Sequence, residues 1–120
     1  MSNLESTDLI SSKYTVSQEE INSFAKNSGG MGSIHTDPEY AQKTFFKKTL
    51  VHGLYMLAII EKEAHFQFKG SNIKTIEVNY LKPIVVNQEF HIKFIQKQVN
   101  DWELSVLTND KPMIIGTFTL

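Results

Sequence analysis

A lone histidine, His35, ends the stretch Ser28-Gly29-Gly30-Met31-Gly32-Ser33-Ile34-His35, and none of the six residues before it is ionisable. An imidazole is the side chain best suited to taking and returning protons near neutral pH. Further on, His52-Gly53 opens the most apolar run of the chain, Leu54–Ile60. A glycine at a helix start offers free backbone N–H groups and the positive end of the helix dipole. Gly53 can therefore hold a developing oxyanion and let a ligand approach the backbone closely, or it can simply permit tight helix–sheet packing. Glu61 lies eight residues beyond Gly53 and continues the stripe of Leu54, Leu57 and Ala58. It is either a working carboxylate or the point where the helix meets water. Glu61 and His65, at i and i+4, supply two metal ligands without a third, so no metal site is expected. His91 reads as a strand residue of no special role. Lys47 and Lys48 either meet phosphates of a ligand or belong to a solvated loop.

These residues need elements to hold them. Residues 1–8 read as a frayed tail and "LISSKYTV" as a short first strand. Ser17 and Glu20 form a capping box, with Val16 and Ile21 as its hydrophobic staple. Ile21, Phe24, Ala25 and Ser28 make the buried stripe, and Gly29 ends the helix in a left-handed cap. The glycine-rich stretch follows as a loop. Asp37 then caps a second short helix with Pro38 at its first position, so capping, not catalysis, is the role of Asp37. "TLVHGLYMLAIIEKEAHF" is the main helix. Its first two turns are apolar on every face and must be enclosed on most sides. "IKTIEVNYL", "QEFHIKFIQKQV", "WELSVLTN" and "MIIGTFTL" alternate at period two and read as an antiparallel meander. The class is α+β, with helices on one face of a sheet.

Composition limits the functions open to such a chain. At 120 residues it reads as a single domain, 1–120. Twelve basic residues nearly balance thirteen acidic ones, so no strong field points to nucleic acid or an anionic membrane. Cysteine is absent, which removes disulfides, thiolate nucleophiles and cysteine-based zinc sites, and fits a cytoplasmic protein. "MSNLESTDLI" has neither the basic nor the apolar region of a signal peptide, and no apolar run is long enough to span a bilayer.

Three stretches, "FAKNSGGMGSIHTDPEYA", "TLVHGLYMLA" and "VNYLKPIVVNQEF", occur together and in order. They resemble the MaoC-like hydratases and dehydratases of the hot-dog superfamily. That family shows an "SGDxNPIHxDPxxA" loop, a "VHGM" helix start and a strand ending in "FxxPVxxGD". The corresponding residues are Ser28-Gly29, Ile34-His35, Asp37-Pro38, Ala41, Val51-His52-Gly53, Tyr80 and Pro83. The likeness runs from about Tyr14 to the C-terminus. The departures are as specific: the family's catalytic Asp is Gly30, its Asn is Gly32, its Pro is Ser33, and its Gly-Asp is Asn87-Gln88.

The resemblance implies a five-stranded antiparallel sheet wrapped round a central helix. It implies a homodimer with an acyl thioester, of coenzyme A or an acyl carrier protein, in a tunnel between subunits, and no cofactor. The implied activity is an acyl-thioester hydratase or dehydratase that interconverts 3-hydroxyacyl and trans-2-enoyl groups. His35 takes the acid/base role and Gly53 the oxyanion role; Gly30, Met31, Gly32, Ser33, Val51, His52 and Leu57 line the substrate, with His52 orienting the turn. Glu61 becomes a catalytic carboxylate if it has moved from loop to helix and faces the other subunit's site. Two alternatives stay open: a hot-dog thioesterase using Glu61, and a non-catalytic acyl-binding or partner subunit.

Overall fold

The computed structural model describes residues 8–120; the frayed-tail expectation, apart from Asp8, falls outside them. Strand β1 is Leu9–Ile10, shorter than the stretch expected, though Tyr14 still bridges to Phe90. Helix α1, Gln18–Ser28, forms as its caps dictate. The Ser17 side chain accepts from the Glu20 N–H, and the Glu20 carboxylate reaches back to the Ser17 N–H. Gly29 ends the helix at φ 83° and donates its N–H to the Ala25 carbonyl. The glycine-rich stretch is not all loop: Ser33–Thr36 makes one helical turn, α2. Four residues carry no readable periodicity, and Gly32 offers no side-chain cap to announce the turn. Helix α3, Pro38–Gln42, follows, with the Asp37 carboxylate accepting from the N–H groups of Glu39 and Tyr40. The main helix, α4, is Gly53–Gln67.

The strands are β2 (Thr75–Tyr80), β3 (His91–Gln98), β4 (Asp101–Thr108) and β5 (Lys111–Thr119). The sheet is antiparallel with order β1-β3-β4-β5-β2. A meander is therefore correct for β3, β4 and β5 only. Strand β2 joins the far side of β5, because residues 81–90 form a long crossing rather than a hairpin. Asn109 and Asp110 both take positive φ, the chemistry of a tight hairpin turn, whereas the crossing has a single such residue, Asn87. Gly116 fits the β5–β2 seam: a Cβ there would lie 2.2 Å from the Glu77 carbonyl oxygen, so no other residue is tolerated.

The inner sheet face, with Ile92, Phe94, Leu104, Val106, Ile114 and Phe118, packs against Met56, Ile60 and Ala64 of α4. The expected enclosure of the first two turns of α4 holds on this side alone. Leu54 is 67% exposed and Ala58 is exposed, because one sheet can curl round only one side of a helix. No helix among the described residues is long and apolar enough to cross a membrane.

Candidate functional site

His35 sits on α2 and is held from two directions. Its Nδ1 lies 2.8 Å from the Leu50 carbonyl oxygen. A carbonyl only accepts, so Nδ1 carries the hydrogen and the neutral ring keeps its lone pair at Nε2. The Gln18 amide, on the first turn of α1, donates to the backbone carbonyl of His35 at 2.9 Å. Its oxygen accepts from the hydroxyl of Thr49, which is buried next to Leu50. The Leu50 N–H in turn donates to the Ile34 carbonyl. The segment that anchors the ring is thus tied to the segment that carries it.

A second imidazole stacks on the first. The rings of His35 and His52 lie 3.8 Å apart, inclined by 19°. His52 is buried and donates from Nε2 to the Gly30 carbonyl at 2.7 Å, while its Nδ1 has no partner among the described residues. Through this bond and this stacking His52 ties the glycine-rich segment to the His35 ring. Phe24 also packs against the His52 ring, 5.0 Å between centroids. A Cβ at Gly30 would come within 3.0 Å of the His52 ring, so a side chain there requires that ring to shift.

His35 opens onto a cleft of about 280 Å³ walled mainly by apolar groups, among them Val51, Met56, Ile84 and Ile114. Gly53 lines it as the first residue of α4. The His52 side chain makes no capping bond, and the first helical bond runs from Met56 N–H to the His52 carbonyl. The N–H groups ahead of it, beginning with Gly53, have no carbonyl within the helix. Tyr80 crosses this helix start and donates its hydroxyl to the Gly53 carbonyl at 2.8 Å. Burial pushes the Tyr80 phenol upward, which keeps it a neutral donor. The cleft thus joins an imidazole base to an unsatisfied helix N-terminus across an apolar space.

The other candidates fall elsewhere. Met31 is 60% exposed, and Gly32 and Ser33 are exposed at the start of α2. Glu61 and Leu57 line a different depression, with Ile73 and Thr75. Eight residues of helix separate Glu61 from Gly53, a rise of about 12 Å. Within one chain, therefore, Glu61 and Leu57 are not brought to His35. Lys47 and Lys48 are exposed and line a third depression with Gln18 and Asn87. His65 is exposed, and no cluster of three or more metal-ligating side chains exists among the described residues.

The replacement of Gly-Asp by Asn87-Gln88 is conservative in geometry. Asn87 takes φ 62°, a left-handed conformation that asparagine tolerates, and the Gln88 side chain accepts from the Val85 N–H. Sequence reasoning missed Gln18, the Leu50 carbonyl, the Tyr80 hydroxyl and Lys82 at the cleft rim. It also missed a pair outside the site: half-buried Tyr14 donates to the buried Glu63 carboxylate, whose other oxygen accepts from Gln67 at 2.8 Å.

Comparison with known proteins places this geometry in a family. A 3-hydroxyacyl-thioester dehydratase Z of Mycobacterium tuberculosis is 36% identical over 66 residues, 55% of this chain and 43% of that protein. A mitochondrial 3-hydroxyacyl-[acyl-carrier-protein] dehydratase of Arabidopsis thaliana is 26% identical over 82 residues, 68% of this chain and 49% of that protein. The matches span about half the length of these curated relatives or less. Among solved structures, an (R)-hydratase from A. caviae involved in PHA biosynthesis superposes with a TM-score of 0.79 at 18% identity, covering 92% of this chain and 90% of that one. That likeness shows the fold, a hot-dog sheet around a helix. The family model described as "MaoC like domain" matches residues 3–113, and the chain belongs to that family.

Proposed function

We propose that the protein is an acyl-thioester hydratase or dehydratase that interconverts 3-hydroxyacyl and trans-2-enoyl thioesters. The observation that carries this reading is the placement of His35, with its proton fixed at Nδ1, and the free start of α4 in one apolar cleft. In this reading the thioester oxygen sits at the Gly53 N–H, where the helix dipole and an unpaired donor stabilise enolate charge. The Nε2 lone pair of His35 faces the acyl α-carbon. The apolar walls exclude water from the enolate and accept the acyl chain. The dehydratase names of the two partial relatives and the family membership support the same reaction class.

A second copy of the chain completes the reading. Leu54 and Ala58 on the outer face of α4 are exposed, and β2 is an edge strand with unpaired backbone groups. A two-fold partner covers both features and closes the open side of the cleft. Gly30, where the family has its loop carboxylate, favours one competing reading, an acyl-binding subunit without turnover.

Incubation with a crotonyl thioester separates the readings. Loss of conjugated-enoyl absorbance without free thiol supports hydration. Free thiol supports a thioesterase. Neither change, with the thioester bound, supports the acyl-binding subunit.

A further inference from the structure

A dehydration ordinarily divides two tasks between two groups: a base removes the α-proton and an acid protonates the departing hydroxyl. Among the described residues of one chain, the cleft does not supply such a pair. Position 30 is glycine, and the helix carboxylate Glu61 opens onto a different depression. Besides His35, the titratable side chains on the cleft are Tyr80 and Lys82. The Tyr80 hydroxyl is engaged with the Gly53 carbonyl, and Lys82 is exposed at the rim. His35 is also held more firmly than a simple loop histidine would require, through Leu50, through Gln18 and by the stacked His52 ring.

We propose that His35 carries out both proton transfers of the reaction, in an elimination that is syn. The proposal rests on the hydratase/dehydratase reading. The step balances without a second acid. Nε2 takes the α-proton, and the C–H electron pair enters the enolate held at the start of α4. That pair then forms the Cα=Cβ bond, and the Cβ–O bond breaks with its electrons on oxygen. The proton on Nε2 passes to that oxygen, water leaves, and the imidazole is neutral again. Hydration is the same sequence reversed. One nitrogen reaches both atoms only if hydrogen and hydroxyl leave from the same face, because the anchored ring cannot turn over without breaking its bond to Leu50. Glycine at position 30 is then compatible with turnover, since the proton never needs a carboxylate.

Two probes test this. Butyryl thioester in D₂O has no leaving group, so its α-deuteration reports base and oxyanion site alone. 3-Hydroxybutyryl thioesters with deuterium at one or the other α-position report stereochemistry. The expected result is deuterium loss only when the label is syn to the hydroxyl. His35→Asn should lose exchange and elimination together, by about 10²-fold or more. In Glu61→Gln, Lys82→Met and Tyr80→Phe, the two rates should move in step, whatever their absolute change. A variant that keeps exchange and loses elimination identifies a separate acid and overturns the proposal, as does loss of the anti label. If the wild-type protein turns over these substrates but fails either criterion, only the one-histidine inference falls. If it neither exchanges nor eliminates, the hydratase/dehydratase reading falls and takes the inference with it.

Discussion

Gly53→Ala distinguishes the oxyanion role of Gly53 from a packing role. The added methyl lies 3.3 Å from Cε1 and Cζ of Tyr80 and 3.5 Å from its hydroxyl. This is a few tenths of an ångström tighter than ordinary contact. Tyr80 is 50% exposed, so its ring can retreat toward solvent at little cost. That retreat weakens the hydroxyl's bond to the Gly53 carbonyl, a loss of about 0.5–1.5 kcal/mol. Against it, alanine restricts the unfolded chain and favours folding by about 0.4–1 kcal/mol. The two effects nearly cancel, so the melting temperature should move by no more than about 5 °C. Activity should respond differently. The methyl projects between the helix start and Tyr80, both of which line the cleft, where the thioester oxygen is proposed to sit. Alanine keeps the backbone N–H, so the expected loss comes from pushing the thioester oxygen off that donor, about 10²–10³-fold in rate when alignment is lost. The assay is kcat on a crotonyl thioester beside a thermal melt. Unchanged kcat with an unchanged melt would refute the oxyanion assignment, and a collapse in stability would make Gly53 a packing residue.

Gln18→Leu removes the donor to the His35 carbonyl and the acceptor for Thr49; kcat should fall about tenfold or more with KM little changed, and Gln18→Glu, which keeps only the acceptor, should not restore it. Tyr14→Phe leaves the buried Glu63 carboxylate short of a donor and should cost about 1–3 kcal/mol in urea unfolding. Burial, then the hydrogen bond and charge of Glu63, push the Tyr14 phenol up to about 12. The stability it contributes is fully present below pH about 10, the unfolded value, and is lost as pH rises through about 12; Tyr14→Phe should flatten that decline. Sedimentation at micromolar concentration should show a dimer, and a strict monomer would remove the partner from the proposed site.

Much of the architecture is legible in the sequence because local chemistry announces it. Ser17 with Glu20, Gly29, and Asp37 with Pro38 each mark a helix end that the structure reproduces. Period-two alternation marks the four long strands. What alternation cannot show is which edge a strand joins, and β2 went to β5 because of a crossing that no turn signal encodes. The candidate site is legible where a residue type marks it, as at His35 and Gly53, which the structure brings to one cleft. It is illegible where a common residue acts through its place in space. Gln18 is an ordinary helix glutamine, and the Leu50 anchor is a backbone carbonyl, so neither leaves a trace in residue type. Glu61 shows the converse: its place on the stripe of Leu54, Leu57 and Ala58 is suggestive, yet α4 carries it to another depression of the same chain.

The account turns on the free nitrogen of His35, and His35→Asn isolates it. The asparagine amide can still donate to the Leu50 carbonyl in place of Nδ1–H, so the loop anchor survives while the Nε2 base is lost. The measurement is the rate of crotonyl-thioester hydration by this variant against wild type, at matched melting temperature. The account predicts a loss of about 10²-fold or more. Hydration within about threefold of wild type would contradict it, and would make His35 a structural residue of the α2 turn.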